Sequence, residues 1–296
     1  MTCHWRVNEA EYFEAPALSA LVFNNRYPEG KQGGVEIIQH DTRVAANGDL
    51  RLEIIPGQWD SLPALKDRRI DRNKNLITAE LHYPDVDLDY TVRVCPEGEA
   101  LRVTVDLASP VPAAWQGKVS FNLELFPDAY FGATYFCDHD AALFPRQAGG
   151  PMTVREDGIL EPRPLGTGRK LTFAPEEPLK RLMVESRSGE LTLYDGRNES
   201  QNSWFVLREV VPEGKTAGAI DWLILPHAVP GWRRTPVICV SQVGYHPKQV
   251  KQAILELDPR TTEPERAGLY LIQADGTLRE VLSARPRIWG RFLRYL

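Results

Sequence analysis

The chain has 296 residues, 43% of them hydrophobic and 25% charged, which suits an ordinary globular protein of about two domains whose core needs no disulfide or metal. The formal net charge is -5, from 35 basic and 40 acidic residues. With no basic block, nucleic acid is not an expected partner.

The dominant period along the chain is two. Strands are predicted at 34–40, 50–55, 76–82 and 87–95, with one short helical stretch from Ser61 to Arg72. Leu101 to Leu107 alternates apolar and polar residues without error. Val119, Phe121, Leu123 and Leu125 alternate with Lys118, Ser120, Asn122 and Glu124. Each of these two strands is expected to bury one face and wet the other. Further strands are predicted at 180–186, 189–195, 203–210 and 218–225. Ser188-Gly189 and Asp195-Gly196 bracket Leu191 and Leu193 in a hairpin-like arrangement. No βαβ alternation is present, which argues against a parallel sheet. Residues 1–230 read as one large antiparallel β-sandwich.

Pro226, Pro230 and Pro236 mark a connector, because proline cannot donate to a sheet ladder. A second strand series follows, at Val237 to Ser241, Ala253 to Leu257 and Gly268 to Gln273. Asp275-Gly276 then turns the chain into Thr277 to Leu282. A complete immunoglobulin-like sandwich takes about 100 residues and seven strands. Residues 236–296 are therefore expected to be a partial one, truncated at its C-terminal end. The predicted fold class is all-β: a large antiparallel β-sandwich followed by a partial immunoglobulin-like β-sandwich.

No apolar run approaches the ~18 residues of a membrane helix, so no membrane partner is expected. The start of the chain lacks a basic n-region followed by an apolar h-region. As written it is expected in the cytoplasm, with secretion left open if the chain is a fragment. Cys3, Cys95, Cys137 and Cys239 are far apart and form no CxxC, which suits free thiols in a reducing compartment. The sequon Asn198-Glu199-Ser200 has meaning only in a secreted protein. Asp138-His139-Asp140 is the densest set of potential metal ligands. Consecutive strand side chains point to opposite faces, so a polar turn is the competing reading. Asp87 and Asp89 share a strand face by their spacing, but nothing marks them as the carboxylate pair that inverting glycoside hydrolysis holds ~6.5–9.5 Å apart. There is no GxSxG, GxGxxG or GxxxxGK[ST], and no cofactor is expected.

The stretch Val237-Ile238-Cys239-Val240-Ser241-Gln242-Val243-Gly244-Tyr245-His246-Pro247, followed by Lys248 to Ala253, resembles the opening of the immunoglobulin-like domain that precedes the catalytic domain in glycoside hydrolase family 9. In physical terms Gly244 permits a bend, Tyr245 can lay its ring over a core, and Pro247 ends pairing. Trp289 to Tyr295 resembles the middle of that domain. Gly33 to His40 and Phe126 to Gly132 resemble the large β-sandwich ahead of it in some members. The resemblance implies a cellulase-like setting whose catalytic domain is a downstream partner. The family's catalytic carboxylates match no position in this chain.

Sugar rings stack their C–H faces on flat aromatic rings. Trp59, Tyr130, Tyr135 and Trp232 are the candidate carbohydrate-binding residues, for a β-linked glycan. Each has a competing reading as a core or interface residue. Trp204 and Trp222 lie in strand patterns and are assigned to the core. The leading expectation is a non-catalytic N-terminal part of a cellulase-like glycoside hydrolase, inactive alone, that supports or orients the catalytic domain in polysaccharide degradation. The alternatives are a stand-alone carbohydrate-binding module and a structural sandwich that mediates oligomer contacts.

Overall fold

The computed structural model describes residues 4–24, 34–58, 61–198, 202–262, 264–291 and 296. The fold is all-β, and its first unit is built from two nine-stranded antiparallel sheets. The first sheet runs, edge to edge, through Arg6–Val7, Phe13–Ala15, Leu18–Val22, Val35–Gln39, Thr42–Leu52, Val119–Leu125, Phe205–Val210, Leu191–Asp195 and Gly166–Gly168. The second runs through Asp140–Leu143, Thr134–Cys137, Lys170–Phe173, Leu182–Ser186, Ile220–Pro226, Ala100–Leu107, Leu88–Glu97, Leu76–Tyr83 and Ala64–Asp71.

The apolar positions of both sheets meet in one core. Leu50, Phe121, Leu123 and Leu207 come from the first sheet, and Val92, Val103, Ile220 and Trp222 from the second. Trp222 meets Phe121 edge-on, with ring centroids 4.9 Å apart. Burying each such side chain contributes ~1.5–3 kcal/mol.

Leu101–Leu107 behaves as its alternation predicts, with the apolar positions buried and Arg102, Thr104 and Asp106 half-buried on the other face. That outer face carries ion pairs across neighbouring strands. Arg102 holds Asp221 at 2.7 Å and 2.8 Å, and Arg93 pairs with Asp106. Val119–Leu125 departs from the expectation, because Ser120, Asn122 and Glu124 are as buried as the apolar residues between them. Buried polar groups need partners, and these residues find them in Asn47 and Arg208 on adjacent strands and in Glu53, just beyond one.

Three other expectations are corrected. The stretch from Ser61 to Arg72 is no helix; Ala64–Asp71 is an edge strand paired with Leu76–Tyr83, where the ladder outweighs weak helical propensity. The Ser188-Gly189 turn closes no hairpin. Leu182–Ser186 lies in the second sheet and Leu191–Asp195 in the first, so the turn carries the chain across the sandwich. Asp87 does not share a strand face with Asp89. It is a left-handed residue (φ 48°) that closes a 3-10 turn before Leu88–Glu97 begins.

The edges of the second sheet differ in chemistry. Ala64–Asp71 carries Lys66, Asp67, Arg68 and Arg69. Asp140–Leu143 is exposed throughout and offers Ala141, Ala142 and Leu143.

The compact units divide between Pro230 and Gly231. The second contains two strand pairs, Val237–Cys239 with Ile254–Glu256 and Ala267–Ile272 with Leu278–Ala284. Leu296 exchanges both backbone hydrogen bonds with Leu257, each 2.9 Å, directly after Ile254–Glu256. Gly244 has φ 80°. The Tyr245 hydroxyl accepts from the Ser241 N–H at 3.1 Å and donates to the Gln252 carbonyl. Tyr245 thus joins two backbone segments through its hydroxyl.

Candidate functional site

A buried polar cluster holds the loop that follows Thr42–Leu52 against the first sheet. The Glu53 carboxylate accepts from Ser120 Oγ at 2.5 Å, from Arg208 Nε at 2.8 Å and from Asn122 Nδ2. It also accepts from the backbone N–H of Gly57 at 2.9 Å. Glu53 and Asn122 are each 1% exposed, and the Arg208 side chain 8%. A buried carboxylate is tolerable when a buried cation and several donors surround it. The Gly57 bond turns this cluster into an anchor for the loop after Thr42–Leu52.

Asn202 secures the same loop from the other side. Its Nδ2 donates to the Gly57 carbonyl and its Oδ1 accepts from the Trp204 N–H at 2.9 Å. Gly57 is thereby held against Asn202, beside Gly196 and Val206. Trp59 lies outside the described residues, immediately after this anchored stretch.

Arg197 organises the rest. Its guanidinium holds Asp195 through Nε at 2.8 Å and Nη2 at 2.7 Å. It also donates to the carbonyls of Pro145, Arg146 and Gln147, at 2.9, 3.2 and 3.2 Å. Its Cζ lies 4.5 Å from the Phe205 ring centroid and 5.2 Å from that of Phe131. A planar, permanently charged fork suits this combination of carboxylate, carbonyl and ring contacts.

Tyr130 and Tyr135 are corrected as sugar platforms. Tyr130 is 0% exposed and Tyr135 3%. Their rings pack on Phe144, with centroids 5.4 and 5.0 Å away, and their hydroxyls reach the carbonyls of Lys180 and Leu165. Burial raises both phenols above the ordinary tyrosine value. A ring already enclosed in a core cannot receive a ligand. Phe131, between Tyr130 and Gly132, is the aromatic that this segment presents to solvent, at 43% exposure. Sequence reasoning passed over it because it carries no polar tip. Trp204 is half-buried against Phe126, with centroids 4.7 Å apart, so of these two tryptophans Trp222 is the one fully in the core. Trp232 belongs to the second unit, half-buried, with its carbonyl accepting from Arg260 Nη2 at 2.5 Å.

Asp138 and His139 form the tight turn between Thr134–Cys137 and Asp140–Leu143. Asp138 Oδ1 accepts from the backbone N–H groups of Arg169 and Lys170, at 3.1 and 2.9 Å. Among the described residues no group of three or more His, Cys, Asp and Glu side chains is placed to hold a metal. Asp89 accepts from His82 Nδ1 at 2.9 Å and from Lys66 Nζ at 2.5 Å, beside a shallow depression of about 280 Å³ on the second sheet. The Lys66 contact holds the Asp89 carboxyl below the usual aspartate range, with His82 adding to it.

These contacts define a large antiparallel β-sandwich protein whose loop end is fixed by buried charge and carries an exposed ring. No family model matches the sequence, and no curated protein matches it. A solved structure similar to the chain is that of the Slr1438 protein from Synechocystis sp. PCC 6803. The identity is 11% and the TM-score 0.32, over 76% of this chain and 94% of that one. Among the described residues no helix is long and apolar enough to cross a membrane.

Proposed function

We propose that this chain is a non-catalytic scaffold in polysaccharide degradation, which supports or orients a cellulase-like glycoside hydrolase domain through its second unit. The observation that carries this is the state of residues 231–296. Leu257 is the one buried hydrophobic side chain among the described residues of that unit. Leu269, Ile272, Leu278 and Leu282 are 58%, 73%, 65% and 60% exposed, and Trp289 is 85% exposed. A hairpin with no layer against it is marginal in water, and contiguous exposed apolar surface marks an interaction site. A partner domain would supply the missing layer. The motif from Ser241 to Pro247 supports the class of partner, through its resemblance to the domain that precedes family 9 catalytic domains. Cys95, Cys137 and Cys239 are free thiols, which fits a cytoplasmic setting.

Hydrogen exchange tests this. In the monomeric chain the amides of 267–284 should exchange fast, and should slow when a family 9 catalytic domain is added, with soluble β-glucan hydrolysed only by that domain. Protection of 267–284 in the monomer alone would remove the proposal. Phe131 favours a second reading, a stand-alone carbohydrate-binding module. That reading requires cello-oligosaccharide binding by the chain alone, abolished by Phe131→Ala.

A further inference from the structure

His40 and Asp41 form the turn between Val35–Gln39 and Thr42–Leu52, with φ 49° and 63°. Two consecutive positive φ values are what the tight hairpin turn of this hand requires. The turn places the imidazole inside the protein, where His40 is 7% exposed. Both ring nitrogens are engaged from opposite sides. Nδ1 lies 2.8 Å from the Leu179 carbonyl oxygen, and Nε2 lies 3.2 Å from the Val229 backbone nitrogen. A carbonyl can only accept and an amide N–H can only donate. The contacts therefore specify the neutral ring with its hydrogen on Nδ1.

We propose that His40 is an acid-sensitive latch on the connector: neutral, it holds the chain at Val229 against the sandwich, and protonated, it lets that segment go. Protonation adds a hydrogen to Nε2 and sets N–H against N–H, so the Val229 amide loses its acceptor inside the protein. The neighbouring bond, from the His227 N–H to the Arg181 carbonyl at 3.1 Å, is a backbone pair and does not titrate. Val229 stands directly before the Pro230–Gly231 division. Its release lengthens the free span of chain between the two units.

The surrounding charges act in both directions. Burial opposes protonation of His40 most strongly, His227 opposes it further, and the Leu179 carbonyl and Asp41 favour it. His227 in turn is held low by burial and Arg181, against Glu99. The net direction is a His40 value below that of an ordinary imidazole, so the latch stays closed at neutral pH and opens in acid. It depends on no part of the glycan reading.

The test is an NMR titration of the whole chain from pH 8 to pH 5, following the imidazole nitrogens and amide exchange corrected for its intrinsic pH dependence. His40 should show the Nδ1–H tautomer at pH 8. Once it protonates, the Val229 amide should exchange about tenfold faster, while the amides of Ile220 to Leu225 stay protected. His40→Ala should make Val229 fast at both pH values, and His227→Asn should keep the step. Three results would overturn the latch: the Nε2–H tautomer at pH 8, Val229 exchange unchanged across the His40 titration, or a step that vanishes with His227→Asn. Should His40→Ala fail to fold, the wild-type titration and His227→Asn decide the matter.

Discussion

The Trp222 indole N–H donates to Glu209 Oε2 at 2.6 Å, deep between the sheets. The other carboxylate oxygen accepts from the Ser188 hydroxyl, also at 2.6 Å. Burial pushes the Glu209 carboxyl above the usual glutamate range, against the pull of these donors. The folded protein therefore keeps this proton at pH values where the unfolded chain has released it. The group's contribution to stability is fully present in acid and is lost as pH rises through the raised folded value. Urea midpoints between pH 4 and 7 should show Glu209→Gln gaining on the wild type as pH rises. Parallel profiles would refute this. Trp222→Phe leaves Oε2 without its donor and should cost about 1–3 kcal/mol, in addition to any loss of packing.

Glu53 and Arg208 should behave as a coupled pair. Glu53→Gln leaves the Arg208 guanidinium buried beside a neutral amide, and should cost about 3–5 kcal/mol in urea denaturation. Replacing both by methionine should recover much of that, because neither charge then stays unmatched. A double variant whose loss equals the sum of the two single losses would show that no coupling exists.

Gly48 is confined by its neighbour strand. A Cβ there would sit 2.8 Å from Val35 Cβ and 2.9 Å from the Val35 carbonyl oxygen. Since a backbone carbonyl cannot step aside cheaply, Gly48→Ala should cost about 1–3 kcal/mol. Thermal unfolding checks it; an unchanged midpoint would mean that the strands separate freely at this point.

Tyr245→Phe keeps the ring and removes the hydroxyl that links Ser241 to Gln252. The expected loss is local, about 1 kcal/mol. It should be seen as faster exchange of the Ser241 amide, with the unfolding of the large sandwich unchanged. Equal exchange in both proteins would make the hydroxyl bridge inert.

The period-two pattern made the sandwich legible wherever one face is apolar and the other wet, as in Leu101–Leu107. It was less informative where both faces are buried. Ser120, Asn122 and Glu124 look solvent-facing, and only the distant Glu53, Arg208 and Asn47 turn that row into an interior. In the sequence Thr42–Leu52 shows as a strand only from residue 50, because Asn47-Gly48 has the composition of a turn. The structure places the pair at an irregularity within the strand, with Asn47 at φ 54°. Short strands such as Phe13–Ala15 and Gly166–Gly168 hold too few residues to show a period. The sequence marks the run containing Tyr130, but which ring faces outward depends on the short helical turn Pro127–Tyr130, and that selects Phe131.

The two flanks of the second sheet give the molecule a one-sided sociability. A strand arriving beside Ala64–Asp71 must lie along a row of charged side chains, Lys66, Asp67, Arg68 and Arg69, and finds little to gain. Beside Asp140–Leu143 it meets two methyl groups and a leucine that is 64% exposed. Of the two flanks of this sheet, that one is therefore where crowded molecules should recruit one another. Two copies meeting there antiparallel use up the permissive flank of each, so this sheet can make closed pairs but has no second hand with which to build a fibre.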